Sequence, residues 1–367
     1  MPKVLIVSER TNIFYLKYIN NFVAEAKKLN WEPILLPGDT QNIESIKNIK
    51  QIDSHEFRYL SNSFDENRYL EIFKVASDER IDHIHLVRLY DPQRMFLALK
   101  TDSKGMNYKF SFTFYGLSQG LRYPIQKKYF DELIILDCIS KYSIVSINPA
   151  IAKSYIEKHK LFETKKLELW HDPIYDNVSD YKLSKQKCRE LLKLDNSIKI
   201  VLYIGGFDYS KGPDIFCQAA HSLSKDKNIQ FILAGNMSKS SFGFDKNKYS
   251  NSTILFDDRY LDEDLVAKYL ISADLVVLPY RKFYENSTSG ILVQSCLAKV
   301  PVLVPDISPF KQPVEKEEIG LTFQCESEKS LSNQIRNYFN NSELFSGFEK
   351  YLSKIEGWDV RIKQFLA

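Results

Sequence analysis

Long apolar runs are missing from this 367-residue chain: no window approaches the roughly 18 consecutive apolar residues of a membrane span. Charge of one sign is scarce too. Lysine and arginine number 50 against 47 aspartates and glutamates, and a net charge of +3 is too small to call for a polyanion. No zinc-finger, RNP or basic-helix pattern occurs, so nucleic acid is not an expected partner. Cysteine is sparse: Cys138, Cys188, Cys217, Cys296 and Cys325 are scattered and never stand in CxxC or Cys/His ligand spacing. They predict reduced thiols, with neither a disulfide nor a metal site. HExxH is absent and no Ser-His-Asp arrangement can be located, which leaves hydrolase chemistry without a motif. Met1-Pro2-Lys3 enters a strand without the charged and apolar regions of a leader, so the expected location is the cytoplasm. Peripheral contact with the inner face of a membrane is a second expectation.

What is present is alternation of strand and helix over a length that suits two domains. Val4–Ser8 is an apolar strand; Ile13, Leu16, Ile19, Phe22, Val23, Ala26 and Leu29 then recur at helical spacing, and Pro33–Pro37 is the next strand. This opening predicts a parallel sheet with a right-handed crossover. Its first turn, Ser8-Glu9-Arg10-Thr11-Asn12, has no glycine and therefore no dinucleotide fingerprint. Arg10 and Thr11 suit either an acceptor or donor contact or a solvated cap. Further strands are expected at His83–Leu89, Phe110–Phe114, Leu133–Leu136, Ile144–Ile147 and Leu167–Trp170, with a helix over Ile151–His159. A polar stretch over 174–197 places the domain boundary near residue 175, and residues beyond 345 read as helices. His83 and His85 share one side of a strand as two metal ligands might, but histidines satisfied by polar neighbours are the better reading. The basic aromatic run Leu121–Phe130 suits anionic lipid or, better, a solvated face.

The segment Tyr203-Ile-Gly-Gly-Phe-Asp-Tyr-Ser-Lys-Gly212 carries the strongest signal. A strand that ends in Gly205-Gly206 and leads through Lys211-Gly212 into the helical stretch Pro213–Leu223 is suited to an anion. The glycines admit backbone amides to close approach, the helix start offers unpaired N–H groups, and Lys211 adds charge. The Walker order GxxxxGK[ST] is absent. An ordinary strand–helix turn with a surface lysine is the plain alternative. About 80 residues on, the buried strand Ala273–Tyr280 is followed by Glu285-Asn286-Ser287-Thr288-Ser289-Gly290, the helical Ile291–Ala298 and the strand Val300–Asp306. Two helix starts at strand ends of one doubly wound sheet are placed to clamp a diphosphate.

Gly-Gly-x4-Lys-Gly, Ala-Asp-Leu-Val-Val-Leu-Pro, Ser-Thr-Ser-Gly-Ile-Leu-Val-Gln and Val-Pro-Val together resemble the C-terminal half of the GT-B glycosyltransferases, specifically the group 1 (GT4-like) retaining family. The resemblance implies an α/β fold of two Rossmann-like doubly wound parallel-sheet domains facing across a cleft. It implies an acceptor-side domain over 1–174, a nucleotide-sugar domain over 175–345, and helices over 346–367 that cross back to the first domain through a segment like Gly357-Trp358-Asp359-Val360. The implied reaction is transfer of a sugar from a UDP- or GDP-linked donor to a hydroxyl of a glycan or lipid-linked acceptor, with retention and without cofactor or metal. Lys211 matches the family lysine. Gly206 stands where the family has arginine, Asn286 and Gln294 where it has two glutamates, and Tyr115 where many members have histidine. Glu285 is the second choice for the first glutamate. The implied catalytic set is Lys211, Asn286 and Tyr115; the donor set is Gly205, Gly206, Lys211, Ser287, Thr288, Ser289, Gly290 and Gln294. Asp257, Asp258 and Arg259 fall where backbone groups approach the nucleobase, and His171 falls at the hinge or in a turn. The neutral replacements motivate a rival, a catalytically inactive GT-B binding module or partner subunit. A GT-B epimerase or phosphorylase has no signature here.

Overall fold

The computed structural model describes residues 1–8, 13–37, 68–89, 91–115, 124–158, 165–175, 181–237, 243–249, 254–285, 287–341 and 344–366. The chain divides into two units, Met1–Tyr175 with Glu356–Ala367, and Asp176–Ile355.

The first unit has a six-stranded sheet of β1 (Lys3–Ser8), β2 (Glu32–Pro37), β3 (His83–Leu86), β4 (Lys109–Tyr115), β5 (Ile139–Ser146) and β6 (Leu167–His171), in the order β2-β1-β3-β4-β5-β6. Every pairing is parallel. Its helices are α1 (Ile13–Lys28), α2 (Arg68–Asp78), α3 (Pro92–Thr101), α4 (Pro124–Ile134), α5 (Pro149–Lys158) and the C-terminal helix Trp358–Leu366. Side chains alternate across a strand, so Val4 and Ile6 pack with Phe22 of α1 and with Ile362 and Phe365 of the C-terminal helix. Leu5 and Val7 face Ile72, Phe73 and Met95 on the other side. Covering both faces is why these strands read as continuous apolar runs.

One predicted strand is overturned. Leu133 and Ile134 end helix α4, and the next strand begins at Ile139. A four-residue apolar run is ambiguous between a strand and the end of a buried helix. Here Leu133 and Ile134 pack in the core while Ile135 is 64% exposed, which fits a helix leaving the core.

The second unit has β7 (Lys199–Ile204), β8 (Ile229–Ala234), β9 (Ile254–Asp257), β10 (Leu275–Val277), β11 (Val302–Pro305) and β12 (Gly320–Phe323), in the order β12-β11-β10-β7-β8-β9. Its helices are α6 (Lys185–Leu191), α7 (Pro213–Ser222), α8 (Glu263–Ser272), α9 (Gly290–Leu297), α10 (Lys311–Lys316), α11 (Glu328–Asn341) and α12 (Phe348–Leu352). β8 and β9 extend the sheet on one side of β7, and β10 to β12 on the other. The order reverses between β7 and β10, the kind of position where open α/β sheets bind ligands.

β10 is shorter than the apolar run that predicted it. Before the strand, the Asp274 carboxylate accepts from the Ile200 amide at 2.7 Å and pairs with Arg189 at 2.7 Å and Lys185 at 2.9 Å. Burial pushes the Asp274 carboxyl up, but these partners outweigh it and hold the pKa below the ordinary aspartate value. After the strand, Pro279 leaves the sheet to cross the start of α7.

Among the described residues, no helix is long and apolar enough to cross a membrane. None of their His, Cys, Asp and Glu side chains group as metal ligands. His83 and His85 instead sit in a buried hydrogen-bonded chain. His83 Nε2 and His85 Nδ1 both meet Ser111 Oγ, at 2.7 and 2.8 Å, and His85 Nε2 meets the Tyr18 hydroxyl at 2.9 Å. Tyr18 continues to Thr113 at 3.0 Å. Burial, reinforced by Lys109, pulls the His83 pKa down to about 3, and burial with His83 nearby holds His85 well below the usual histidine value.

Candidate active site

The site of the second unit begins where β7 ends. Gly205 has φ of 129° and Gly235, after β8, has φ of 145°, both in the region that side chains disfavour. A Cβ on Gly235 would lie 2.2 Å from the Gly205 carbonyl oxygen. The two loops therefore touch through bare backbone. Beside them lies a cavity of about 320 Å³, lined by Gly205, Gly206, Gly235, Asn236, Tyr260 and Ile291 among others. Its size is in the range of small-ligand pockets.

A single 3-10 turn, Tyr209–Lys211, carries the chain from the glycines to α7. Gly212 closes it with φ of 64°, and Pro213 takes the first helical position. Any Cβ on Gly212 would stand 2.1 Å from the Pro279 carbonyl oxygen. The turn aims Lys211 back over Gly206: its Nζ lies 3.3 Å from where a Gly206 Cβ would stand, with the Asp208 carboxylate 3.7 Å from the same point. Burial draws the Lys211 pKa below the ordinary lysine value while Asp208 opposes the shift. Gly206 thus leaves room for the ammonium above the backbone, next to the cavity.

Arg281, which sequence reasoning missed, holds this turn from the other loop. Its guanidinium donates to both oxygens of Asp214, at 3.1 and 2.6 Å. It also donates to the Tyr209 carbonyl and stacks 3.8 Å from the centre of the Tyr209 ring, while the Arg281 amide donates to the Ser210 carbonyl at 2.9 Å. Burial pushes the Arg281 pKa down, but Asp214 more than offsets it and the net shift is upward. Asp214 is 67 positions away, so no local spacing marks the pair. The legible signal was a lone arginine directly after a buried strand.

The second predicted helix start is α9. Ser289 caps it, accepting from the Leu292 amide at 3.4 Å, and its hydroxyl meets the Tyr280 hydroxyl at 2.8 Å. Tyr284 donates to the Thr288 carbonyl at 2.9 Å, and the Ser287 amide donates to the Tyr284 carbonyl at 3.0 Å. Ser287 and Ser289 are buried, so these two serines build the loop. A Cβ on Gly290 would meet nothing within 4 Å, and Ile291 behind it lines the cavity. Gln294 follows one turn later on α9, half-buried. The structure thus gathers Gly205, Gly206, Lys211 and the start of α9 around one sheet end.

Asn286 lies outside the described residues, as do Arg10 and Thr11; Tyr115 ends β4, and its side chain is likewise outside the description. Glu285 pairs with Lys282 at 3.0 Å. Asp258 accepts from the Met237 amide at 2.9 Å and pairs with Lys246 at 2.9 Å, which holds its carboxyl below the ordinary value. Asp257 accepts from the Tyr269 hydroxyl at 2.5 Å and pairs with Arg259 at 2.8 Å. In the first unit, His171 engages Glu356 at 3.2 Å. Of the basic aromatic run, Lys127 and Lys128 pair with Asp131 and Glu132 on α4.

Residues 184–354, just under half of the chain and nearly all of the second unit, match the family of glycosyl transferases group 1. No curated protein sequence matches the chain. Among solved structures, a glycosyltransferase from Rickettsia africae aligns at 16% identity with a TM-score of 0.71, covering 100% of this chain and 93% of that one. The Anabaena protein HepE in complex with UDP aligns at 12% and 0.73, covering 99% and 98%. A UDP-GlcNAc 2-epimerase from Neisseria meningitidis bound to UDP-GlcNAc aligns at 10% and 0.62, covering all of both chains. Such low identities establish the fold. The class so defined is a GT-B fold of two units, the second of which matches the group 1 glycosyl transferases.

Proposed function

We propose that the chain transfers a sugar from a nucleoside diphosphate sugar to a hydroxyl of a glycan or lipid-linked acceptor, with retention of configuration and without a cofactor or metal. The carrying observation is the Lys211 ammonium over Gly206, beside a cavity at the strand-order reversal. The bond between the sugar's anomeric carbon and the diphosphate oxygen breaks, and negative charge grows on the diphosphate. Lys211 and the exposed start of α9 oppose that charge, which is electrostatic stabilisation needing no side-chain base. The acceptor oxygen bonds to the anomeric carbon, and its proton leaves on the departing diphosphate. Asn286 and Gln294 supply neutral amides to sugar and ribose hydroxyls. Uridine is the first donor base to test, since HepE binds UDP in the same fold.

The second reading, an inactive binding module, draws on Gly206, Asn286 and Gln294 standing where the resembled family has charge. One experiment separates the two. The melting temperature is measured with UDP, GDP and ADP, followed by turnover of the matching nucleotide sugars. A rise with UDP is expected, about 2.7 kcal/mol of stabilisation at a hundredfold excess over Kd. A rise without any turnover supports the binding module; no rise with any nucleotide overturns the donor reading.

A further inference from the structure

We propose that Arg281 and Asp214 form a positioning clamp that sets the placement of Lys211, so that Arg281 acts on the donor's diphosphate only through the lysine. The inference deepens the donor reading given above and rests on it for its kinetic arm alone.

Three observations carry it. The Arg281 guanidinium is committed: both terminal nitrogens serve Asp214, one also serves the Tyr209 carbonyl, and the planar face lies on the Tyr209 ring. It is 7% exposed, so it is not presented as a free cation to an incoming phosphate. Every group it grips belongs to the three-residue turn before Lys211 ends or to the first turn of α7, and the Arg281 amide grips the same turn at Ser210. Lys211 has no long helix or strand of its own to orient it. The turn is therefore held between Gly212, pressed under Pro279, and Arg281, both controlled by the segment that leaves β10.

Lysine cannot replace this arginine. An ammonium is a point charge that neither forks onto both oxygens of Asp214 nor stacks flat on Tyr209. Arg281→Lys keeps the charge and removes the geometry, which is the discriminating change. Misplacing a charged group by about 1 Å costs roughly a hundredfold in rate.

The test is a double-mutant cycle of Arg281→Lys and Lys211→Ala, with Asp214→Asn as a second way to loosen the clamp. Arg281→Lys is expected to lower kcat/KM about 10- to 100-fold, and Asp214→Asn by a similar factor, in variants that melt as single cooperative units. In the Lys211→Ala background, Arg281→Lys should change kcat/KM less than about twofold, because there is no longer an ammonium to place. Independent, additive losses overturn the clamp, since Arg281 would then act without Lys211. A parental rate for Arg281→Lys overturns it too. The second measurement needs no donor: lysines are reductively ¹³C-methylated, and the Lys211 resonance, assigned by its loss in Lys211→Ala, is titrated in the parent and in Asp214→Asn. A changed shift and midpoint are expected; an unchanged resonance overturns the clamp. If the resonance moves and no nucleotide binds the parent, the clamp stands and the donor reading fails.

Discussion

At the scale of single residues, two glycines and one lysine define the candidate site. Gly206 has no side chain where the Lys211 ammonium lies, and Gly212 has none where the Pro279 carbonyl crosses. The two positions differ in what a side chain would meet. A methyl on Gly206 would meet the end of the Lys211 side chain at 3.3 Å, whereas one on Gly212 would meet backbone at 2.1 Å and suffer a φ of 64° besides. In the proposed reaction, Lys211→Ala removes the charge set against the departing diphosphate. Turnover is expected to fall by about a hundredfold or more, from the cost of losing one transition-state partner. Steady-state kinetics beside the melting temperature check this, and a parental rate in a folded Lys211→Ala protein would refute the role.

Among the elements, β10 is held from before its first residue. Asp274 accepts from the β7 amide of Ile200 and pairs with Arg189, which is 4% exposed and also donates to the Ser272 carbonyl. This joins α6, α8, β7 and β10 at the amino ends of the two strands, opposite the ends that carry the glycine loop. Asp274→Ala leaves a buried guanidinium without its anion. The expected loss is about 3–5 kcal/mol of stability, the scale for breaking a buried pair by removing one partner. Urea unfolding followed at the second unit tests it; a midpoint unchanged from the parent would show that Arg189 and the Ile200 amide find other partners.

For the whole molecule, each unit has its own sheet and core, and the first has a built-in response to acid. The first unit buries His83 and His85 as neutral rings within the Tyr18–Thr113 hydrogen-bonded chain. Both histidines have folded pKa values lowered by burial, His83 to about 3. Below pH 6.5 the unfolded chain takes up protons that the folded unit refuses, so stability is complete above that pH and is lost as pH falls toward 3. The slope approaches about 1.4 kcal/mol per pH unit for His83 across that window, and His85 adds to it in the same direction. Melting curves from pH 7.5 to 4 should fall more steeply for the parent than for His85→Gln. Equal slopes would mean that His85 does not remain neutral in the folded unit.

Much of the architecture follows from local pattern. The apolar runs, the helical spacing and the glycine pair before Lys211 are short-range features, because strand period, helix period and turn chemistry act over a few residues. They were enough for the two parallel sheets and for the strand, turn and helix around Gly205–Gly212. Leu133–Leu136 failed as a strand because four apolar residues carry no period. What only the tertiary structure decided depends on groups distant in sequence. Arg281 meets Asp214 across 67 positions, and His85 meets Tyr18 across another 67. Ser287 and Ser289 are buried, with the Ser289 hydroxyl against that of Tyr280, and the Tyr284 hydroxyl donates to the Thr288 carbonyl. A side chain's hydrogen-bond partner is set by which strands lie side by side, and the reversal that puts β10 next to β7 is a property of the folded sheet, not of any window of the chain.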